Sequence, residues 1–209
     1  MQPLVKPLEI ILATRNPSKT LEIQHVFADS PIIVRSMENA GIIGEAFEPE
    51  DGNFESNAFL KAHFVQEQVP GAWVMADDSG ICIDAHDGAP GVNTAYWAGR
   101  DATQEELTKF IVEKMRGVED RSATFHTYVA LLTPEGEEQV FHGEMPGSLL
   151  HEPRGISLPK MPYSALFVPE GDMRTWAEMS SAELSARSHR GIAFRKVREF
   201  LESVLERHS

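Results

Sequence analysis

The stretch Trp73-Val74-Met75-Ala76-Asp77-Asp78-Ser79-Gly80-Ile81-Cys82-Ile83-Asp84 sets two adjacent carboxylates between two apolar runs. Residues 73–76 and 81–84 read as buried strands, and Asp-Asp-Ser-Gly between them has the composition of a β-turn. Like charges this close raise each other's pKa and lose hydration on burial. A chain keeps such a pair where positive charge meets it, most often a divalent cation. A plain surface turn explains the four residues equally well when they are taken alone.

Outward from this centre, strands and helices alternate. Residues 8–14 form a short apolar run, read as a buried strand, and a helix follows over 18–27 with Pro17 in its first turn. Residues 32–34 give a second strand, 45–53 an acidic loop, and 55–69 a helix on which Asn57 and Lys61 share one face. Beyond the centre come an ordered loop at 88–91 and a helix over 103–115 capped by Thr103. A hairpin of 123–132 with 138–144 turns at Pro134-Glu135-Gly136. A loop at 153–162, a strand at 165–168 and a last helix from about 182 or 191 to 207 complete the pattern. The fold class is mixed α/β. The whole chain, 1–209, is read as a single domain of two lobes with a central cleft, because ligand sites favour such junctions.

Composition narrows the function. The 209 residues are 42% hydrophobic and 24% charged, as in an ordinary globular protein. A formal net charge of −13 argues against a nucleic-acid partner, which needs clustered Lys and Arg, but permits a small phosphorylated ligand met by a few local cations. No apolar run is long enough to span a bilayer and no charged-then-apolar leader is seen, so no membrane role is expected. The single Cys82 excludes an intramolecular disulfide and fits a reducing cytoplasm.

Three constellations carry chemistry. Thr14-Arg15-Asn16-Pro17-Ser18-Lys19 lies at a strand-to-helix junction, where N–H groups, the helix dipole and the Lys19 charge favour an anion; ordinary capping by Asn16 or Ser18 is the competing reading. Glu50 stands where it could join Asp77 and Asp78 around a cation, with Lys61 reaching the same anion as Lys19, although a solvated loop and a surface lysine give the same pattern. Ser188-His189-Arg190 offers planar donors for a base edge or a phosphate, or else a local ion-paired cluster.

Taken together these segments resemble the inosine triphosphate pyrophosphatase family, in order from about residue 10 to residue 201. The matching stretches include I-L-A-T-R-N-P-S-K-T-L-E at 11–22, E-D-G-N-F-E-S-N-A-F-L-K-A at 50–62, A-D-D-S-G-I-C-I-D-A at 76–85, G-A-P-G-V-N-T-A-Y-W-A-G at 88–99 and S-H-R at 188–190. The resemblance implies an elongated two-lobed fold, usually a homodimer, that hydrolyses a nucleoside triphosphate to monophosphate and pyrophosphate with Mg²⁺. It implies Thr14, Asn16, Lys19, Lys61 and Ser79 as triphosphate holders, with Asn57 beside them. Glu50, Asp77 and Asp78 would serve the metal, Asp78 also as general base, and Ser188, His189 and Arg190 the base.

The chain departs from the family at the expected base pocket. Where the family has G-F-G-Y-D-P, Met161 stands for the stacking Phe and Ser164 for the Asp, while Tyr163 matches the family's Tyr. Leu184 stands where a lysine is usual, and Val92-Asn93-Thr94-Ala95-Tyr96 replaces V-Y-S-A-R. Met161 can pack on a base face, and Tyr163 is the candidate to replace the lost ring. ITP, dITP and XTP are the expected substrates. A member with changed base preference and a non-catalytic nucleotide-binding protein are the alternatives.

Overall fold

The computed structural model describes residues 7–46, 52–159 and 161–207. Its strands are β1 (Leu8–Leu12), β2 (Ile32–Ser36), β3 (Trp73–Ile83), β4 (Pro90–Gly91), β5 (Ser122–Leu132), β6 (Glu138–Leu149) and β7 (Phe167–Pro169). Its α-helices are α1 (Pro17–Val26), α2 (Phe54–Gln68), α3 (Gln104–Lys114), α4 (Ser181–Arg187) and α5 (His189–Arg207). The strands form one mixed sheet in the order β2-β1-β3-β5-β6-β7, with β4 pairing β3. β1 runs parallel to both β2 and β3, and β4 runs antiparallel to β3.

The central stretch is a single strand. β3 continues through Asp77, Asp78, Ser79 and Gly80 without turning, so the expected turn between two strands is corrected. All but Trp73, Ser79 and Cys82 of its eleven residues are buried, and that packing overrides the turn preference of the four central residues. The other elements start where their local chemistry directs. Pro17 opens α1, and both α2 and α3 begin with a reciprocal capping box, Asn53 with Ser56 and Thr103 with Glu106. The last helix is broken in two: Ser188, extended at φ −64° and ψ 148°, ends α4, and α5 starts at His189.

By its contacts the chain divides into two compact units. The first comprises residues 1–78, 127–143 and 190–209, the second 79–126 and 144–189. In the first, residues of β1 and β3 alternate between two apolar clusters because successive strand side chains point to opposite faces. Ile10, Leu12 and Met75 pack with Ile23 and Phe27 and with Ala193, Phe194, Val197 and Leu201 of α5. Ile11, Ala13, Val74 and Ala76 pack with Ala58, Ala62 and Val65 of α2. The sheet is thus covered by α1 and α5 on one face and by α2 on the other. The second unit has its own core of Ile81, Ile83, Leu107, Ile111, Phe125, Tyr163, Phe167 and Trp176. There β6 and β7 approach so closely that a Cβ at Gly147 would collide with the Val168 carbonyl and the Phe167 ring.

Candidate active site

The strand alternation that builds the core also sorts the charges. Asp77 follows Trp73 and Met75 on the α1/α5 face, and Asp78 follows Val74 and Ala76 on the α2 face. The two carboxylates are neighbours in sequence, yet each meets its own cations. On the first face Lys19 Nζ of α1 donates to Asp77 Oδ2 at 2.8 Å. Arg190 of α5 lies against the same oxygen at 3.5 Å through Nε and donates to Glu22 Oε2 at 2.9 Å through Nη1. On the second face Lys61 Nζ of α2 donates to Asp78 Oδ1 at 2.9 Å, and Asn57 Nδ2, one turn earlier, donates to Asp78 Oδ2 at 3.4 Å.

The position on the sheet explains why these groups meet. β1 pairs with β3 only as far as Leu12 opposite Met75, with the Ala13 N–H closing on the Met75 carbonyl at 2.8 Å. The chain then leaves through Thr14 to Asn16 into α1 while β3 runs on. Asp77 and Asp78 therefore lie just past the carboxyl end of β1, where ligands bind in open α/β sheets. Thr14 Oγ1 accepts from the Asn16 N–H at 3.2 Å, and the Asn16 carbonyl accepts the first α1 bond from Thr20. Ser79, the next residue of β3, is partly buried.

Burial makes the charges matter. The Asp77 side chain is 1% exposed and that of Lys19 24%. Burial alone would push the Asp77 carboxyl up, but the Lys19, Arg190 and Lys61 charges outweigh it and hold the group below the ordinary carboxylate range. For Lys19 burial wins: the ammonium is lowered against the pull of Asp77, with Arg190 and Lys61 adding to the effect. Burial opposes the Arg190 guanidinium too, yet Asp77 and Glu22 raise it overall. Lys61 thus acts on Asp77 and Lys19 from the other face, and the two pairs form one electrostatic cluster.

Asn57 is the unusual member. It is 2% exposed, and its Oδ1 is buried without a hydrogen-bond partner among the described residues. A buried carbonyl left so costs about 1–3 kcal/mol.

Glu50, expected as the third acid, lies outside the described residues. Arg190, read either as a base contact or as part of an ion-paired cluster, has its guanidinium on Asp77 and Glu22. Sequence reading gave Glu22 no role, although it stands three residues after Lys19 on the same helix face.

The remaining base-pocket candidates belong to the second unit. Tyr163 is 2% exposed, its ring edge-on to Phe125 at 6.0 Å and its hydroxyl directed at the Thr94 carbonyl at 3.4 Å. The ring is thus packed within the core of the second unit. Ser164 is fully buried, and its Oγ accepts from the Leu158 N–H at 2.8 Å, so it anchors the 153–162 loop from inside. His189 is 5% exposed and stacks on Trp176 and Phe125, with centroids at 5.4 and 5.0 Å. Sequence reading gave neither of these aromatic partners a role. Ser188 is buried beside it in sequence, and Met161 and Leu184 pack, partly buried, on the second core.

Comparison with known proteins adds the kinship. The Ham1 family pattern matches residues 10–200. The chain belongs to the Ham1 family. A Frankia alni protein named dITP/XTP pyrophosphatase is 38% identical, over 95% of this chain and 99% of its own. One of that name from Streptomyces coelicolor is 37% identical, over 94% and 98%. The structure of a HAM1 protein from Coxiella burnetii superposes with a TM-score of 0.84 at 33% identity, covering 94% of this chain and 99% of its own. That of the nucleoside-triphosphatase / dITP/XTP pyrophosphatase from Mycobacterium abscessus gives 0.74 at 36% identity, with 93% and 99% covered. The Ham1 relatives thus match in fold as well as in sequence. Among the described residues no helix is long and apolar enough to cross a membrane.

Proposed function

We infer that this protein is a hydrolase that cleaves purine nucleoside triphosphates of the inosine and xanthosine type to monophosphate and pyrophosphate. The observation that carries the reading is the pair of Lys–Asp contacts, Lys19 with Asp77 and Lys61 with Asp78, at the carboxyl end of β1. Near-full-length similarity to relatives named dITP/XTP pyrophosphatase supports the substrate class.

Lys19 and Lys61 hold the triphosphate, aided by the Thr14 hydroxyl, the Asn16 amide and Ser79. The carboxylate oxygens of Asp77 and Asp78 are hard donors of the kind Mg²⁺ takes. Asp77 and Asp78, with Glu50 by family resemblance, would hold the ion. When bound, it neutralises charge on the phosphates and polarises them. Asp78 takes a proton from water as the water oxygen bonds to the α-phosphorus. The bond from that phosphorus to the α,β-bridging oxygen breaks, and pyrophosphate leaves in line. Arg190 and Glu22 keep Asp77 fixed while this happens. Ser188, His189 and Met161 are the candidates for the base side. A homodimer in the cytoplasm completes the proposal, in line with the family resemblance and the lone Cys82.

A second reading, the same chemistry with a shifted base preference, is favoured by Ser164: the side chain at the expected base-reading position is spent on Leu158. One substrate panel tests both. With Mg²⁺, ITP, dITP and XTP should yield monophosphate and pyrophosphate faster than the four standard nucleotides. Faster turnover of a standard nucleotide supports the shifted preference. Orthophosphate as product, or no turnover of any nucleotide, refutes the pyrophosphatase assignment.

A further inference from the structure

Asn57 combines three features that an ordinary core residue lacks. It is a polar amide at 2% exposure in the first turns of α2. Its Nδ2 is directed at Asp78 Oδ2 at 3.4 Å, so the amide lies beside the carboxylate assigned above to metal and water. Its carbonyl oxygen is buried and accepts no hydrogen bond among the described residues. Lys61, one turn along the same face, occupies the other Asp78 oxygen at 2.9 Å. If Asn57 served only to hold Asp78, its amide nitrogen would suffice and the buried oxygen would remain a standing cost.

We propose that the Asn57 carbonyl oxygen is a ligand for the divalent cation held by Asp78. This rests on the metal-dependent reading above and adds to it a neutral ligand from α2. The chemistry fits: hard divalent cations take amide carbonyls together with carboxylates. A neutral oxygen also adds no negative charge where a triphosphate must enter. The same side chain then has a separate task for each atom, nitrogen to Asp78 and oxygen to the ion.

The two tasks separate experimentally. Nucleotide-free protein is titrated with Mn²⁺, and free Mn²⁺ is read by electron paramagnetic resonance. Asn57→Leu removes both polar atoms and should weaken Mn²⁺ binding about 10–100-fold, the range for losing a supporting group at a metal site. Asn57→Asp keeps an oxygen at the same place while losing the amide donor, so it should bind Mn²⁺ at least as tightly as the wild type. A purely structural amide predicts that Asp fails as badly as Leu. Leu binding as tightly as wild type, Asp binding as weakly as Leu, or a wild type that binds no Mn²⁺ each overturns the proposal. A second measurement needs no variant: Mg²⁺ should shift the side-chain amide ¹⁵N resonance of Asn57 in the wild-type protein, and an unmoved resonance also overturns it. Pyrophosphate release from ITP by wild type tests the underlying reading alone, so the two failures are distinguishable.

Discussion

The first unit gathers its expected site residues and the second buries many of its own. Lys19, Lys61, Asp77 and Asp78, spread over 60 residues of chain, close to 2.8 and 2.9 Å within their pairs. Tyr163, Ser164 and His189, expected to face a base, are at most 5% exposed, in or beside an aromatic core. The difference is physical. A buried charge needs a partner of opposite sign, so acids and lysines predicted together tend to be found together. An aromatic ring or a small hydroxyl serves a core and a pocket equally well, and its sequence does not say which.

The comparison breaks if the charged residues prove dispensable or the aromatic ones prove to be the chemistry. The largest effect is expected at Asp78. Asp78→Asn should lower kcat by about two to four orders of magnitude, the range for loss of a general base. Unchanged turnover, measured by pyrophosphate release, removes Asp78 from the mechanism. Trp176→Ala should act on stability instead. Trp176 is 3% exposed and packs on Phe125, Phe167 and His189, so its truncation should cost about 3–5 kcal/mol in denaturant unfolding. A much smaller loss would show that this stack is open and available to a ligand.

Tyr163→Phe sharpens the same contrast at smaller scale. Its hydroxyl makes only a 3.4 Å contact with the Thr94 carbonyl, so the change should cost at most about 1 kcal/mol and leave the order of preference among nucleotides unaltered. A changed order would return Tyr163 to the pocket.

The smallest effect concerns pH. Glu183 caps α4, accepting from Ser180 backbone and side chain and pairing with Arg174, which lowers its carboxyl from 4.5 to about 2. A lowered folded pKa gives stability that is complete above the ordinary carboxylate value and is lost as pH falls toward about 2. Glu183→Gln should therefore lower stability slightly at neutral pH and flatten its acid dependence below about 4.5. An unflattened acid limb in unfolding curves contradicts this.

Much of the fold was legible in both units because its signals are local. Pro17 starting α1, the Asn57–Lys61 face of α2, the Thr103 cap and the hairpin turn each depend on a few adjacent residues. Three features were not. The continuity of β3 through Asp-Asp-Ser-Gly depends on packing on both of its faces. The docking of Arg190 on Glu22 joins residues 168 apart in sequence. The role of Ser164 depends on a loop whose path its own hydroxyl helps to set. In each case tertiary contacts decide among conformations that local preference leaves open.

The central claim is that water attacks the α-phosphorus beside Asp78, and isotope placement tests it most directly. Turnover of ITP with Mg²⁺ in ¹⁸O-water should put the label in the monophosphate and leave pyrophosphate unlabelled. Label in pyrophosphate, or in released orthophosphate, would contradict the account.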